Sequence, residues 1–136
     1  MMSEELKEGF KINFGENAGK IWSTLNENGP LKEREIKSIT QLDDIDFHTA
    51  VGWLARENKI SKDDEGVYKL DNTNLTPLIG TNAGRIWKII DIWGEMEFPS
   101  IKRLADEDDS NVYSAIGWLA REEKIEFNEK KRYTLK

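Results

Sequence analysis

The chain contains no cysteine, one histidine and three prolines. Without cysteine it can form neither a disulfide nor a thiolate metal site, which is typical of proteins of a reducing cytosol, so we expect a cytoplasmic location. A single histidine excludes a histidine-rich metal cluster. No apolar run reaches the length of a signal-peptide core or a membrane span, so we expect no leader and no membrane association.

Positive charge is also scarce. Twenty Lys and Arg residues stand against 26 Asp and Glu residues, which gives a formal net charge of -6, and acidic residues outnumber basic ones in both halves. A non-specific nucleic-acid binder is expected to carry a basic body, and this chain has none. The hydrophobic content of 38% is sufficient for folded cores.

What the chain does contain is an internal repeat. The segment NAGKIW at Asn17–Trp22 returns as NAGRIW at Asn82–Trp87, and GWLARE at Gly52–Glu57 returns unchanged at Gly117–Glu122. Both pairs are offset by 65 residues. A single offset without gaps predicts two copies of one folding unit.

We place the first domain at residues 13–71, a linker at 72–81 and the second domain at 82–136. A unit of about 65 residues is marginally stable alone, so we expect the two copies to pack as one rigid body. The linker contains turn-forming residues but also leucine and isoleucine, which argues against a loose segment.

Each copy shows three helical patterns followed by two short strands around a polar turn. We expect Asn17 and Asn82 to cap the first helices. The strands are predicted at residues 59–62, 67–70, 124–127 and 132–135. The inner face of the third helix follows an i, i+3, i+4, i+7 spacing: Phe47, Ala50, Val51 and Leu54, then Val112, Ala115, Ile116 and Leu119. This order predicts an α+β, mainly α, fold with two tandem winged helix-turn-helix domains.

Together the two repeated motifs resemble a prokaryotic winged helix-turn-helix family of uncharacterised function. Its short members pair Ala-Gly-Lys-Ile-Trp with Gly-Trp-Leu-Ala-Arg-Glu. The likeness covers nearly the whole chain as two tandem copies. It implies a fold and no particular activity, so it assigns no catalytic residues.

The sequence gives little sign of catalysis. Gly15–Lys20 does not match a phosphate-binding loop, because three residues rather than four separate its glycines and Ile21 stands where a magnesium-binding Ser or Thr should be. We interpret Trp22 and Trp87, at helical spacing, as core anchors. We therefore expect no enzyme activity, no cofactor and no metal.

The third helix is the element with which a winged helix normally reads DNA. The face opposite its apolar side carries small polar residues, a glycine and an arginine. Glycine within a helix costs about 1 kcal/mol relative to alanine, and this chain accepts that cost twice. Two interpretations account for this glycine: it admits another backbone, from DNA, a partner or the sister repeat, or it lets the adjacent tryptophan fold against its own domain. The candidate recognition-helix residues are His48, Thr49, Gly52, Arg56, Tyr113, Ser114, Gly117 and Arg121.

Charge distinguishes the candidate partners. Acidic residues crowd the start of both third helices, where they would repel phosphates. The strand pair that ends each copy is its wing, and the turn of the first wing, Asp63–Glu65, is acidic as well. Only the second wing is basic. Its Lys130, Lys131 and Arg132 are candidate phosphate contacts, with a solvated turn as the alternative interpretation.

The second copy has apolar residues where the first has polar ones. These are Ile89, Ile92, Trp93, Phe98 and Phe127, which replace Thr24, Glu27, Asn28, Glu33 and Lys62. Because the first copy folds without them, we predict an inter-repeat or partner contact along this stripe. We expect residues outside the second repeat to bury Ile89, Ile92 and Trp93. The first candidates are the segments Leu75–Ile79 and Phe10–Phe14.

Two functions fit the sequence. We favour a non-catalytic tandem winged-helix module that binds protein, in a transcription or chromosome-maintenance setting suggested by fold analogy alone. The alternative is a DNA-binding transcriptional regulator that uses its third helices and second wing. In either case we expect a monomer with pseudo-symmetric repeats or a homodimer.

Overall fold

The computed structural model describes the backbone of residues 2–136 and the side chains of residues 13–136. The first repeat consists of α1 (Met2–Asn28), β1 (Leu31–Lys32), α2 (Glu33–Thr40), α3 (Asp44–Arg56), β2 (Ile60–Lys62) and β3 (Val67–Leu70). A single π-helical turn, Thr76–Gly80, leads into the second repeat. That repeat consists of α4 (Thr81–Trp93), α5 (Phe98–Ala105), α6 (Asp109–Arg121), β4 (Ile125–Phe127) and β5 (Tyr133–Leu135).

Each repeat ends in an antiparallel wing. In the first, β1, β3 and β2 form a sheet in that order, with Leu31 opposite Tyr68. In the second, β4 pairs with β5, and an isolated bridge joins Met96 to Tyr133. Met96 and Tyr133 are the repeat counterparts of Leu31 and Tyr68, so the bridge reproduces the β1–β3 pairing. The prediction of two mainly helical winged helix-turn-helix domains is confirmed.

The predicted inner faces of α3 and α6 form the centres of the two cores. All eight of their residues are no more than 2% exposed. The acidic turn before α3 has a local role, because the Asp43 side chain accepts a hydrogen bond of 2.8 Å from the Asp46 amide. Such a bond satisfies one of the free amides at the start of a helix.

The predicted caps at Asn17 and Asn82 are wrong. Asn17 lies inside α1, and α4 begins one residue before Asn82, directly after the π-helical turn. Helical backbone upstream of each asparagine removes the free amides that a cap would satisfy. Both side chains are buried instead, and the Nδ2 of Asn82 has no hydrogen-bond partner within the described part of the chain.

The repeats exchange apolar side chains. Phe14 of α1 is buried in the core of the second repeat, while its counterpart Ile79 is buried in the core of the first. Leu75 also packs against the first core, so the segment between the repeats is anchored. The two cores are therefore joined reciprocally.

Candidate binding surfaces

The two third helices pack against each other along a line that we call the seam. A Cβ built on Gly52 would lie 1.9 Å from the carbonyl oxygen of Ser114, and one on Gly117 would lie 1.9 Å from that of Thr49. Such distances are far inside van der Waals contact, so only glycine permits the two backbones to meet. Of the alternatives that the sequence left open for these glycines, the structure shows close approach by the backbone of the sister repeat.

This packing corrects the expectation of an open recognition face. Thr49 and Ser114 are buried together with the two glycines. His48 and Tyr113 are partly buried at the edge of the seam. Of all the residues in α3 and α6, only Asp44, Ile45, Arg56, Asp109 and Arg121 are exposed. A recognition helix presents a face of side chains to the DNA major groove, and here the seam buries the middle of that face on both helices, so that only residues at the helix ends are exposed.

The predicted arginines tie the repeats together. Nε of Arg56 donates to Glu122 at 3.0 Å, and Nε of Arg121 donates to Glu57 at the same distance. The Arg56 guanidinium also lies over the Trp118 ring, at 5.8 Å from its centroid. Arg121 lies over Trp53 in the same way, at 5.7 Å. Both arginines are therefore committed to the opposite repeat.

An acidic cleft of about 610 Å³ opens where α3 and α6 begin. Its lining brings together His48, Tyr113, Ile45, Ser110 and the carboxylates of Glu33, Asp43, Asp44, Asp108 and Asp109. Lys37 pairs with Glu33 and Asp44, and Lys102 pairs with Asp109, so carboxylates outnumber the lysines that face them. This end of a recognition helix normally approaches the DNA backbone, and the excess of negative charge opposes that approach.

Several groups that line the cleft have shifted pKa values. Burial lowers the pKa of His48, and the carboxylate of Glu33, 3.7 Å from its Nε2, only partly opposes that effect. The Lys37 ammonium bonds both Glu33 and Asp44, which lowers the pKa of Asp44. Burial raises the pKa of the Tyr113 hydroxyl. His48 is therefore mainly neutral near pH 7.

The second wing is held by its own hydrogen bonds. The Asn128 Oδ1 accepts from the amides of Lys130 and Arg132, which shapes the turn. The Arg132 guanidinium lies 3.5 Å from Glu95. Lys130 and Lys131 are exposed. Of the three predicted phosphate contacts, one thus already faces a carboxylate.

The prediction that residues outside the second repeat bury the apolar stripe is wrong. Ile92 is 71% exposed and Trp93 is 68% exposed. Ile92 lies on the outer side of α4, and Trp93 is its last residue, beyond the end of the core. Ile89 is partly buried against the core of its own repeat.

Other parts of that prediction have separate outcomes. The Phe98 ring stacks on the Tyr113 ring with 4.2 Å between their centroids, and the Phe127 ring packs against the Tyr133 ring with 4.8 Å between theirs. Both contacts lie within the second repeat. Leu75 and Ile79 pack on the first repeat's core and do not cover the stripe. The side chains of Phe10 and Ile12 lie outside the described residues.

The interpretation of Trp22 and Trp87 as core anchors is also wrong. They are 40% and 36% exposed. Each lines a groove between the first and third helices of its repeat, of about 490 Å³ in the first and 600 Å³ in the second. We call these the first and second tryptophan grooves.

The two grooves have the same frame. The first is lined by Gly15, Ala18, Gly19, Trp22, Trp53, Leu54, Glu57 and Lys59, and the second by the residues 65 positions later. Both repeated sequence motifs thus meet in one place. The sequence analysis did not predict this site. The signal for it was that both first helices keep the same residues outside the core, Gly19 and Trp22 in one copy and Gly84 and Trp87 in the other.

The match to a protein family agrees with the fold. The family model of the winged helix-turn-helix domain (DUF2582) matches residues 8–70 and 70–135. The chain belongs to this family, as two tandem copies. No curated protein and no solved structure matches the chain. Winged helix-turn-helix domains are typically non-catalytic binding modules with a DNA-binding or regulatory role.

Two kinds of feature are absent from the described residues. No group of three or more His, Cys, Asp or Glu residues in that part of the chain is arranged to hold a metal ion. No helix among the residues described here is long and apolar enough to cross a membrane.

Proposed function

We propose that this protein is a non-catalytic module that binds another protein. The observation that carries the proposal is the seam, which buries the faces of α3 and α6 that other winged helices present to DNA. A transcription or chromosome-maintenance setting is proposed from fold analogy alone.

Two further features support protein over DNA. The cleft at the start of both helices is acidic, and the net charge is -6. Phosphate contacts supply most non-specific DNA affinity, so this distribution weakens it. Exposed Ile92 and Trp93, by contrast, are typical of surfaces that proteins bury on association.

The test compares DNA and protein binding. We expect affinity for duplex DNA at physiological salt no better than the non-specific range of about 10⁻⁴–10⁻⁶ M. A pull-down from native lysate should retain the same proteins with and without nuclease. Sub-micromolar, sequence-selective DNA binding that Lys130→Ala/Lys131→Ala abolishes would instead establish a DNA-binding regulator acting through the second wing.

A further inference from the structure

We propose that the second tryptophan groove binds an acidic segment of a partner protein, with one large apolar side chain inserted against Trp87 and Trp118. This inference rests on the proposed protein-binding function and names both the surface and the chemistry of the partner.

The groove glycines supply the first argument. Gly19 and Gly84 lie inside helices, where glycine costs about 1 kcal/mol relative to alanine. Neither has a positive φ, and among the described residues a Cβ on either would meet nothing within 4 Å. The fold therefore gives no reason for glycine at these positions. An open groove wall that admits an external group does give one.

The tryptophans supply the second argument. The cores do not enclose Trp22 and Trp87, yet both repeats retain them beside the open glycine. Exposed tryptophan is a frequent anchor in protein interfaces, because its burial removes a large apolar area at low entropic cost. A large apolar side chain of the partner would complete that burial.

Charge identifies the kind of segment. Lys88, Lys124 and Lys136 line the second groove. The acidic side chain among the described residues of its lining, Glu122, already bonds Arg56 at 3.0 Å and lies 3.6 Å from Lys124. Lys88 and Lys124, with Arg56 beside Glu122, make the rim positive within an acidic protein, so carboxylates flanking the apolar anchor would be attracted to it.

The first groove has the same frame but a weaker charge. Ser23 replaces Lys88, and the counterpart of Lys136 is Asp71, which faces Lys69 at 3.6 Å. We therefore assign the acidic segment to the second groove. The first groove serves as its matched control.

The experiment selects short random peptides displayed on phage against the full-length chain at physiological salt. We expect the enriched peptides to share one aromatic or large aliphatic residue flanked by Asp or Glu. Affinity of a labelled selected peptide should fall at least roughly tenfold with Trp87→Ala and with Gly84→Leu, which fills the groove. Trp22→Ala and Gly19→Leu should change it less than about twofold.

Two measurements separate binding from folding and from other ligands. Gly84→Leu should melt no lower than the native chain, because its site is open, and Ser23→Lys should strengthen peptide binding at the first groove. The proposal is overturned if no peptide is enriched, if the enriched peptides lack acidic residues, or if Gly84→Leu leaves affinity unchanged. It is equally overturned if the groove instead binds single-stranded oligothymidine, whose bases stack on aromatic rings.

The outcome is independent of the test for DNA binding. Lysate partners that still bind Gly84→Leu would remove the groove assignment and leave the protein-binding function in place. Selective duplex binding through Lys130 and Lys131 would remove the protein-binding function whatever the peptides show.

Discussion

Two pairs of helical glycines, in the seam and in the grooves, stand in opposite surroundings. Gly52 and Gly117 face a carbonyl oxygen of the other repeat, which a Cβ would approach to 1.9 Å. Gly19 and Gly84 face open space. Both pairs follow from the same duplication, and both cost helix stability. The seam glycines are explained by the fold, whereas the groove glycines require a reason outside it.

The largest effect should follow from removing the seam altogether. A fragment of residues 72–136 would expose Gly117, Ser114 and the core side of Trp118, which now meet the first repeat. Because both third helices carry the same Gly-Trp-Leu-Ala-Arg segment around the seam glycine, we expect the fragment to dimerise through α6 or to unfold. Analytical ultracentrifugation with thermal melting tests this. A monomer that melts no lower than the full chain would show that the seam is dispensable.

A smaller but still large effect is expected from Gly117→Ala in the full chain. Its Cβ must displace the Thr49 backbone, which cannot move without separating the helices. Overpacking of this kind typically lowers the free energy of unfolding by about 1–3 kcal/mol. We expect a loss near the upper end, because the backbone itself must move. Gly52→Ala should behave alike, since the Ser114 carbonyl occupies the equivalent place. Denaturant unfolding measures the loss, and unchanged stability would mean that the seam is looser than described.

The groove glycines should respond in the opposite direction. Gly84→Ala adds a methyl group in open space and improves helix propensity, so we expect a gain of roughly 0.5–1 kcal/mol. Gly19→Ala should give a similar gain. The same unfolding assay applies, with Gly117→Ala as the contrasting variant. A clear loss at Gly84 would reveal a structural need for glycine and weaken the groove proposal.

The sequence predicted the elements well because their signals are local. The spacing of Phe47, Ala50, Val51 and Leu54 predicts the buried side of α3, and all four are buried. The constant offset predicted two copies, which the family match confirms. Periodicity describes one helix and its own core, and these predictions needed nothing more.

Features that depend on where helices end or meet were not predictable in this way. Trp93 continues an apolar pattern but lies at the last residue of α4, where no core remains to cover it. Trp22 and Trp87 are apolar at helical spacing, yet they line grooves between the first and third helices and the cores do not enclose them. The sequence also left open which backbone approaches Gly52 and Gly117, because a repeat motif does not show what lies opposite it. In the structure, the sister helix lies there.

The smallest expected effect concerns His48 at the edge of the seam, whose counterpart is Tyr113. Burial lowers the pKa of His48 below its ordinary 6.5, although Glu33 and Asp44 raise it, and Lys37 and Lys62 add to the lowering. The unfolded chain therefore binds the proton more readily. The stabilising contribution is present above pH 6.5 and is lost as the pH falls below it. His48→Tyr, which copies the second repeat, should lose less stability than the native chain between pH 7.5 and 5.5. Thermal melting across this range tests the sign, since an equal loss in both proteins would show that other groups govern the acid side.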